Sequence, residues 1–253
     1  MNKHFIRTIA ISIIAGIYFP VYAQQRSESE RIRFARFDAN QTNVNRRMSK
    51  DTIFLKSILN AKPEDEFRLR RVTTDNLGIT HKRFQQYYKG IKVENAEYLI
   101  HGKGDNIDYI NGDFQVINIQ SVIPLINEQQ ALAKALKYVG AEKYKWEDAN
   151  AENFIKEHRN DTNATYYPYG ELVIAKDYLK DTNSFKLAWK FLISSLKPNN
   201  EQKIIVDANS GDIIQDASLI QNSGNAQTLY SGTQYIRDSY SSGSYRLRET
   251  RNT

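Results

Sequence analysis

An α+β fold is predicted for this 253-residue chain: two small modules, each a helix packed on an antiparallel sheet, followed by a truncated β-rich stretch. Three observations predict it. Helical periodicity is confined to short capped runs, of which "DTIFLKSILN" and "NEQQALAKALKYVG" are the clearest. Each run is followed by short β-branched and aromatic segments, separated by Gly, Asn and Asp turn signals. The order helix-then-strands occurs twice, with the break near Val122 to Ile126, which is the pattern of α+β units.

Residues 1–23 read as an export signal. Lys3 and Arg7 form a short positive region, an apolar run extends from Ile9 to Phe19, and Val21-Tyr22-Ala23 supplies small residues for cleavage between Ala23 and Gln24. The run is short for a spanning helix and Pro20 ends it. The expected location is therefore exported, periplasmic or extracellular, with no membrane attachment after cleavage. The chain has no cysteine, which excludes disulfides, thiolate metal sites and lipidation at a new N-terminal cysteine.

Residues 24–48 form a polar, basic leader. Much of the formal charge of +6 lies in "RSESERIRFARF" and "NRRMSK", where Glu28 and Glu30 are interspersed. No recognition fold stands behind that charge, so a solvated leader is expected and nucleic acid is not expected as a partner.

The first module spans residues 49–122. Asp51 can cap a helix whose Leu55, Ile58 and Leu59 share one face, and Pro63 stops it. Phe67 to Ile119 reads as a meander of four or five strands, with turns at Asp75-Asn76/Gly78, Lys89-Gly90, Gly102/Gly104 and Asn111-Gly112. Phe84, Ile91, Val93, Tyr98 and Ile100 are its core candidates, and Pro124 closes the unit.

The second module spans residues 123–220. Asn127 and Gln130 form a capping box, Leu132, Ala135, Leu136 and Val139 make the buried stripe, and Gly140 ends the helix. A polar loop is expected from about Lys143 to Thr165. Strands follow in "GELVIAKD", "SFKLAWKFLISSL" and "EQKIIVDANSGDIIQDA", the last folding back at Asn209-Ser210-Gly211. Residues 221–253 are rich in Ser, Gly, Thr and Tyr, with strand alternation at "YRLRET", and read as the truncated start of a further β-rich domain.

The residues alone identify no catalyst. Of the four histidines, His4 lies in the signal; His81 and His101 could meet across the meander, and His158 sits in the polar loop. There is no His-Glu-x-x-His helix, no Gly-x-Ser-x-Gly elbow and no cysteine nucleophile. "DANSGD" has oxygen donors at Asp207, Asn209 and Asp212, but Ser218 stands where a calcium loop places its glutamate, so a turn is the simpler reading. No metal or catalytic residue is assigned on this chain.

The stretch "GITHKRFQQYYKGIKVENAEYLIH" resembles the propeptide module shared by fungalysins and thermolysins. Gly78, Thr80, His81, Arg83, Phe84, Gln85, Gln86, Gly90, Ile91, Val93, Glu97, Tyr98 and His101 fit its pattern; Lys92 replaces its usual proline. "AWKFLISS" and "IIVDANSGDII" resemble a second propeptide module, the PepSY domain, at Trp189, Asp207, Gly211 and Ile213. "NAQTLYSGTQYIRDSY" with "YRLRETRN" is similar to the first strands of a thermolysin-like catalytic domain.

The resemblance implies the N-terminal part of a secreted zinc metalloendopeptidase of the thermolysin family, with the catalytic domain as partner in cis. It further implies an intramolecular chaperone and temporary inhibitor, with zinc and calcium belonging to the missing catalytic domain and no cofactor here. Thr80, His81, Arg83, Gln86, Gly90, Val93, Glu97 and His101 become structural or protease-contacting positions. Processing is expected within Ser218, Leu219, Ile220, Gln221, Asn222, Ser223 and Gly224, a polar and turn-rich stretch. The alternatives are a stand-alone exported inhibitor or binding protein built from such modules, and a surface adhesin.

Overall fold

The first core forms where a short helix lies on one side of a meander whose strands alternate apolar and polar residues. The computed structural model describes residues 32–37, 46–180, 184–219, 221–228, 232–241 and 244–248. Strand β1 (Phe34–Arg36) is followed by helix α1 (Asp51–Ile58) and then by β2 (Asp65–Thr74), β3 (Thr80–Tyr88), β4 (Ile91–Gly102) and β5 (Tyr109–Gly112). All neighbours among these strands pair antiparallel, in the order β2-β3-β4-β5-β1. Phe54 and Leu55 of α1 pack with Phe67, Phe84, Tyr98, Ile100 and Ile110. Each such side chain, fully buried, contributes about 1.5–3 kcal/mol of hydrophobic stabilisation.

Three expectations for this module are corrected. Phe34–Arg36 leaves the leader and pairs with β5, while Ile32, Ala35 and Phe37 pack against the core. Asp51 is the first helical residue rather than the cap. Its carboxylate accepts from Thr52 N at 2.6 Å and from Lys82 Nζ at 2.6 Å. Asn111 and Gly112 are strand residues, not a turn. A Cβ at Gly112 would lie 2.4 Å from the Glu97 carbonyl oxygen, so glycine is needed there for close approach of two strands.

In the second module α2 (Glu128–Val139) precedes β6 (Lys143–Tyr144), α3 (Ala149–Arg159), β7 (Glu171–Lys176), β8 (Phe185–Lys197), β9 (Asn200–Asp207) and β10 (Ile213–Ser218). The Asn127–Gln130 capping box is present in both directions, and Gly140 ends the helix in the left-handed conformation at φ 60°. Ala131, Leu132 and Ala135 pack on Phe191, Ile193, Ile204 and Val206. Helix α3 occupies the expected polar loop. Asp148 caps it by accepting from Asn150 and Ala151 N–H, and Ile155 is its one fully buried residue, too little apolar patterning to show as a stripe in the sequence.

The modules share one ten-stranded sheet. Beyond a bend, β4 leaves β5 and pairs parallel with β7, Lys92 opposite Val173 and Val93 opposite Ile174. Tyr88, Val93 and Ala96 of the first module pack with Ile174, Leu187 and Ala208 of the second. The connector is fastened as well: Leu125 and Ile126 N–H both donate to the Ala208 carbonyl at 3.0 Å, and Trp189 Nε1 donates to the Ile126 carbonyl at 3.0 Å.

A second sheet of three antiparallel strands follows, β11 (Gln221–Thr228), β12 (Gly232–Ser241) and β13 (Ser244–Arg248). The strand expected at "YRLRET" is thus present. Within the stretch 218–224, expected as turn-rich, Ser218 is instead the last residue of β10 and residues 221–224 belong to the first half of β11. Cross-strand partners on β9 and β12 supply the hydrogen bonds that a turn would have made internally. Residues 1–31, which include Ala23 and Gln24, lie outside the described residues, as does Ile220.

Candidate functional site

The hairpin of β3 and β4 is turned by Lys89 and Gly90 at φ 48° and 77°, the left-handed pair that a two-residue turn requires. Past the turn the register jumps, since Tyr87 opposes Lys92 while Gln85 opposes Glu97. The surplus residues on β4 form a bulge with Asn95 at φ 59°. A bulge frees backbone carbonyls, and the buried Gln85 side chain takes them up: its Nε2 donates to Val93 O at 2.7 Å and Ala96 O at 2.9 Å. Val93, itself fully buried, therefore marks the place where β4 changes partner from β5 to β7.

Gln86 points to the other side and works as a substitute strand. Its Oε1 accepts from Gln115 N at 2.9 Å and its Nε2 donates to Gln115 O at 2.7 Å, with a further bond to Asp65 Oδ1 at 3.0 Å. Burial raises the Asp65 carboxyl above the usual range, against the Lys62 backbone N–H that lowers it. The two adjacent amides thus hold the segment after β5 and the bulge in β4.

On the face of the sheet away from α1, His81 and His101 are direct cross-strand partners with Nδ1 atoms 2.5 Å apart. Asp75 Oδ2 lies 3.2 Å from His81 Nε2, and Asn111 Oδ1 lies 2.7 Å from His101 Nε2. The Tyr109 ring stacks on His101 at 4.2 Å. Burial pushes His101 below the ordinary histidine range, and the neighbouring His81 adds to this. Asp75 is held low chiefly by the Ile79 backbone N–H, with Leu77 and His81 assisting. One step along the hairpin, Arg83 donates to Glu97 at 2.5 Å, both side chains substantially exposed. Thr80 lies near Thr74 across β2, with their hydroxyls 3.2 Å apart.

Where the modules join, Glu94 receives Lys92 and Lys190, each at 2.9 Å, and Glu171 receives the same two ammonium groups. Burial alone would raise the Glu94 carboxyl, but the two lysines outweigh it and hold it low. Lys203 beside them is depressed by burial.

In the second module Asp207 makes the turn: its Oδ1 accepts from Asn209 and Ser210 N–H, and Gly211 follows at φ 77°. Lys186 Nζ lies 2.9 Å from Asp207 Oδ2 and 3.3 Å from Asp177 Oδ2, so one ammonium faces two buried carboxylates. The approach to Asp177 lies off the hydrogen-bond direction, and the contact there is coulombic. Trp189 ties the connector, as described.

The structure therefore gathers Thr80, His81, Arg83, Gln86, Gly90, Val93, Glu97 and His101 in one hairpin, and Trp189, Asp207 and Gly211 at the β8–β10 end of the second unit. It adds Gln85, Asp75, Asn111 and Lys186. The Gln-Gln doublet in a strand was the signal for Gln85, because alternation must send two adjacent buried amides to opposite faces. Nothing in the sequence pairs Lys186 with Asp177 and Asp207. Among the described residues no three His, Asp or Glu side chains gather as a metal site, and no helix is long and apolar enough to cross a membrane.

Residues 65–114 match the family described as Fungalysin/Thermolysin Propeptide Motif. Bacillolysin of Bacillus amyloliquefaciens is 25% identical over 199 residues, 76% of this chain and 35% of the relative. A zinc metalloproteinase of Listeria monocytogenes serovar 1/2a is 23% identical over 165 residues, 64% of this chain and 29% of the relative. The chain thus spans about a third of the length of the curated relatives it matches. Among solved structures, the Bacillus megaterium YpeB C-terminal domain aligns with a TM-score of 0.31 and 14% identity, over 74% of this chain and 69% of that one.

Proposed function

We propose that this chain, which carries a fungalysin/thermolysin propeptide motif and is similar to the N-terminal part of thermolysin-family metalloproteases, serves as the prosegment of an exported zinc endopeptidase. In this reading it is a folding template and temporary inhibitor of a catalytic domain that it meets in cis, and Trp189, Asp207 and Gly211 belong to a PepSY-type second module. The observation that carries the reading is the motif over residues 65–114, whose side chains build scaffold rather than chemistry. Gln85 is spent on backbone carbonyls and Gln86 on the Gln115 backbone and the Asp65 carboxylate, and no nucleophile and base stand together among the motif residues.

A prosegment needs a rigid surface and a severable end. The shared sheet and the fastened connector supply the first, and the polar face with His81, Arg83 and Glu97 offers contacts. Tethering raises the local concentration of those contacts, so weak affinity in trans is compatible with strong action in cis. Residues 218–224, which include the end of β10 and the first half of β11, are the proposed processing region. Zinc and calcium are assigned to the catalytic domain; this sequence has no His-Glu-x-x-His to hold the former.

The test is refolding of a thermolysin-like catalytic domain in the presence of the full chain, followed by titration of the active enzyme. A higher yield of active protease and a dose-dependent fall in hydrolysis are expected. If the folded chain alters neither yield nor rate at high micromolar concentration, the prosegment reading fails.

A further inference from the structure

Asp75, His81, His101 and Asn111 form one line across the β2–β3 turn and strands β3, β4 and β5. A carboxylate only accepts hydrogen bonds, and so does the Asn111 Oδ1. Both outer imidazole nitrogens therefore carry hydrogen. With both rings neutral, two Nδ1 lone pairs would face each other at 2.5 Å. One added proton completes an N–H···N bond between them. A second sets two N–H groups and two positive charges head to head, with His101 only 7% exposed.

We propose that the His81–His101 pair is a pH-operated clamp: holding one shared proton it fastens the β2–β3 turn and the open end of the hairpin, and a second proton releases them. The surroundings offset one charge and not two. Asp75 is the carboxylate in contact with the pair. Arg83 and Glu97, on β3 and β4, pair with each other, and Lys82 pairs with Asp51. Tyr109 and Asn111 from β5 are uncharged partners, Thr73 lies opposite His81 on β2, and Lys103 follows the pair with its chain close to Gly78 in the turn. Among the described direct contacts of the two rings there is no second carboxylate to meet the second proton.

The effect is local because the other end of the hairpin is held independently by Gln85 and Gln86. Its sign follows from His101. Burial lowers the proton affinity of this ring in the fold, so the unfolded form takes up the proton first as pH falls below about 6.5. With one proton shared in the fold, the contribution of the pair is greatest near that pH; it declines below it, by at most about tenfold in the opening equilibrium per pH unit, until the second proton enters the fold too, and it is lost above it once the shared proton leaves. The clamp is a property of the chain's own fold and stands independently of any action on a protease.

The experiment uses the full chain in EDTA, with imidazole NMR titration and amide hydrogen exchange, corrected for intrinsic rate, at pH 6.5 and 4.5. Both rings are expected to respond in each of two coupled steps. Protection at residues 80–82 and 100–102 should fall about tenfold or more between the two pH values, with residues 85, 86 and 96–98 unchanged. Asp75→Asn retains an acceptor for the Leu77 and Ile79 N–H groups but removes the counter-charge and turns an NH2 donor toward His81 Nε2, so it should open at higher pH. Independent single-step titrations of the two rings overturn the clamp. Equal loss of protection at both ends of the hairpin, or opening of the Asp75→Asn chain at the wild-type pH, does the same. So does a gain in protection when zinc replaces EDTA, which would put a metal rather than a proton between the rings.

Discussion

Replacing Gln86 with leucine keeps most of the side-chain volume and removes three hydrogen bonds at a site where Gln86 is 1% exposed and Asp65 is 2% exposed. Lost are the bond from Gln115 N–H, the bond to Gln115 C=O and the bond to Asp65 Oδ1. Each bond removed from a buried group costs about 1–3 kcal/mol, the N–H at the upper part of that range and a carbonyl less. Burying the added apolar surface returns about 1 kcal/mol. The net expectation is a loss of about 2–4 kcal/mol, a large share of the stability of a typical domain. Urea unfolding of the full chain, followed by circular dichroism, measures it from the shift in midpoint at unchanged slope. Gln86→Glu separates bonding from packing: it keeps an acceptor but places a carboxylate against Asp65. It should cost at least as much at pH 7 and regain part of that at pH 5, where a proton restores the donor. Gln129→Leu, on the exposed side of α2, is the control. A Gln86→Leu chain within about 0.5 kcal/mol of wild type, the range of ordinary surface changes, refutes the assignment of Gln86 as a substitute strand.

Lys186→Met leaves Asp177 and Asp207 buried without their shared cation, and should destabilise by about 3–5 kcal/mol at pH 7. Burial alone would raise the Asp207 carboxyl, but the Asn209 N–H and Lys186 outweigh it, so its contribution is present above the ordinary aspartate value of about 3.9 and lost as pH falls through the lower folded value. The cost of the substitution should therefore shrink between pH 7 and pH 3 in urea titrations; an equal cost at both ends would contradict the pairing. Asn127→Ala removes the side-chain acceptor for the Gln130 N–H, one half of the capping box, and should lower stability by about 1 kcal/mol, with faster amide exchange confined to the first turn of α2.

Local rules made much of this fold legible. The capping box at Asn127 and Gln130, the Lys89-Gly90 turn and the Asp207 turn are each decided within a few residues, and all three stand where the sequence places them. Strand β1 and helix α3 escaped because each buries too little to leave a periodic trace: three residues paired on an edge, and a helix whose one fully buried residue is Ile155. Similarly, Asn111-Gly112 reads as a turn by composition and is a strand by contact, because the approach of Glu97 demands glycine there.

The sequence by itself determined the two helix-and-sheet units, their order, and the hairpin from Gly78 to His101, since alternation and turn chemistry act over a few residues. Only the tertiary structure decided that β4 bends at Asn95 and continues into the second unit, making one sheet of two. It alone decided that Gln85 and Gln86 serve opposite faces, that Lys186 answers two distant carboxylates, and that His81 and His101 meet nitrogen to nitrogen. Those outcomes depend on register between strands up to ~80 residues apart, and register is fixed by the sum of packing and hydrogen bonds across the whole sheet rather than by any stretch of sequence.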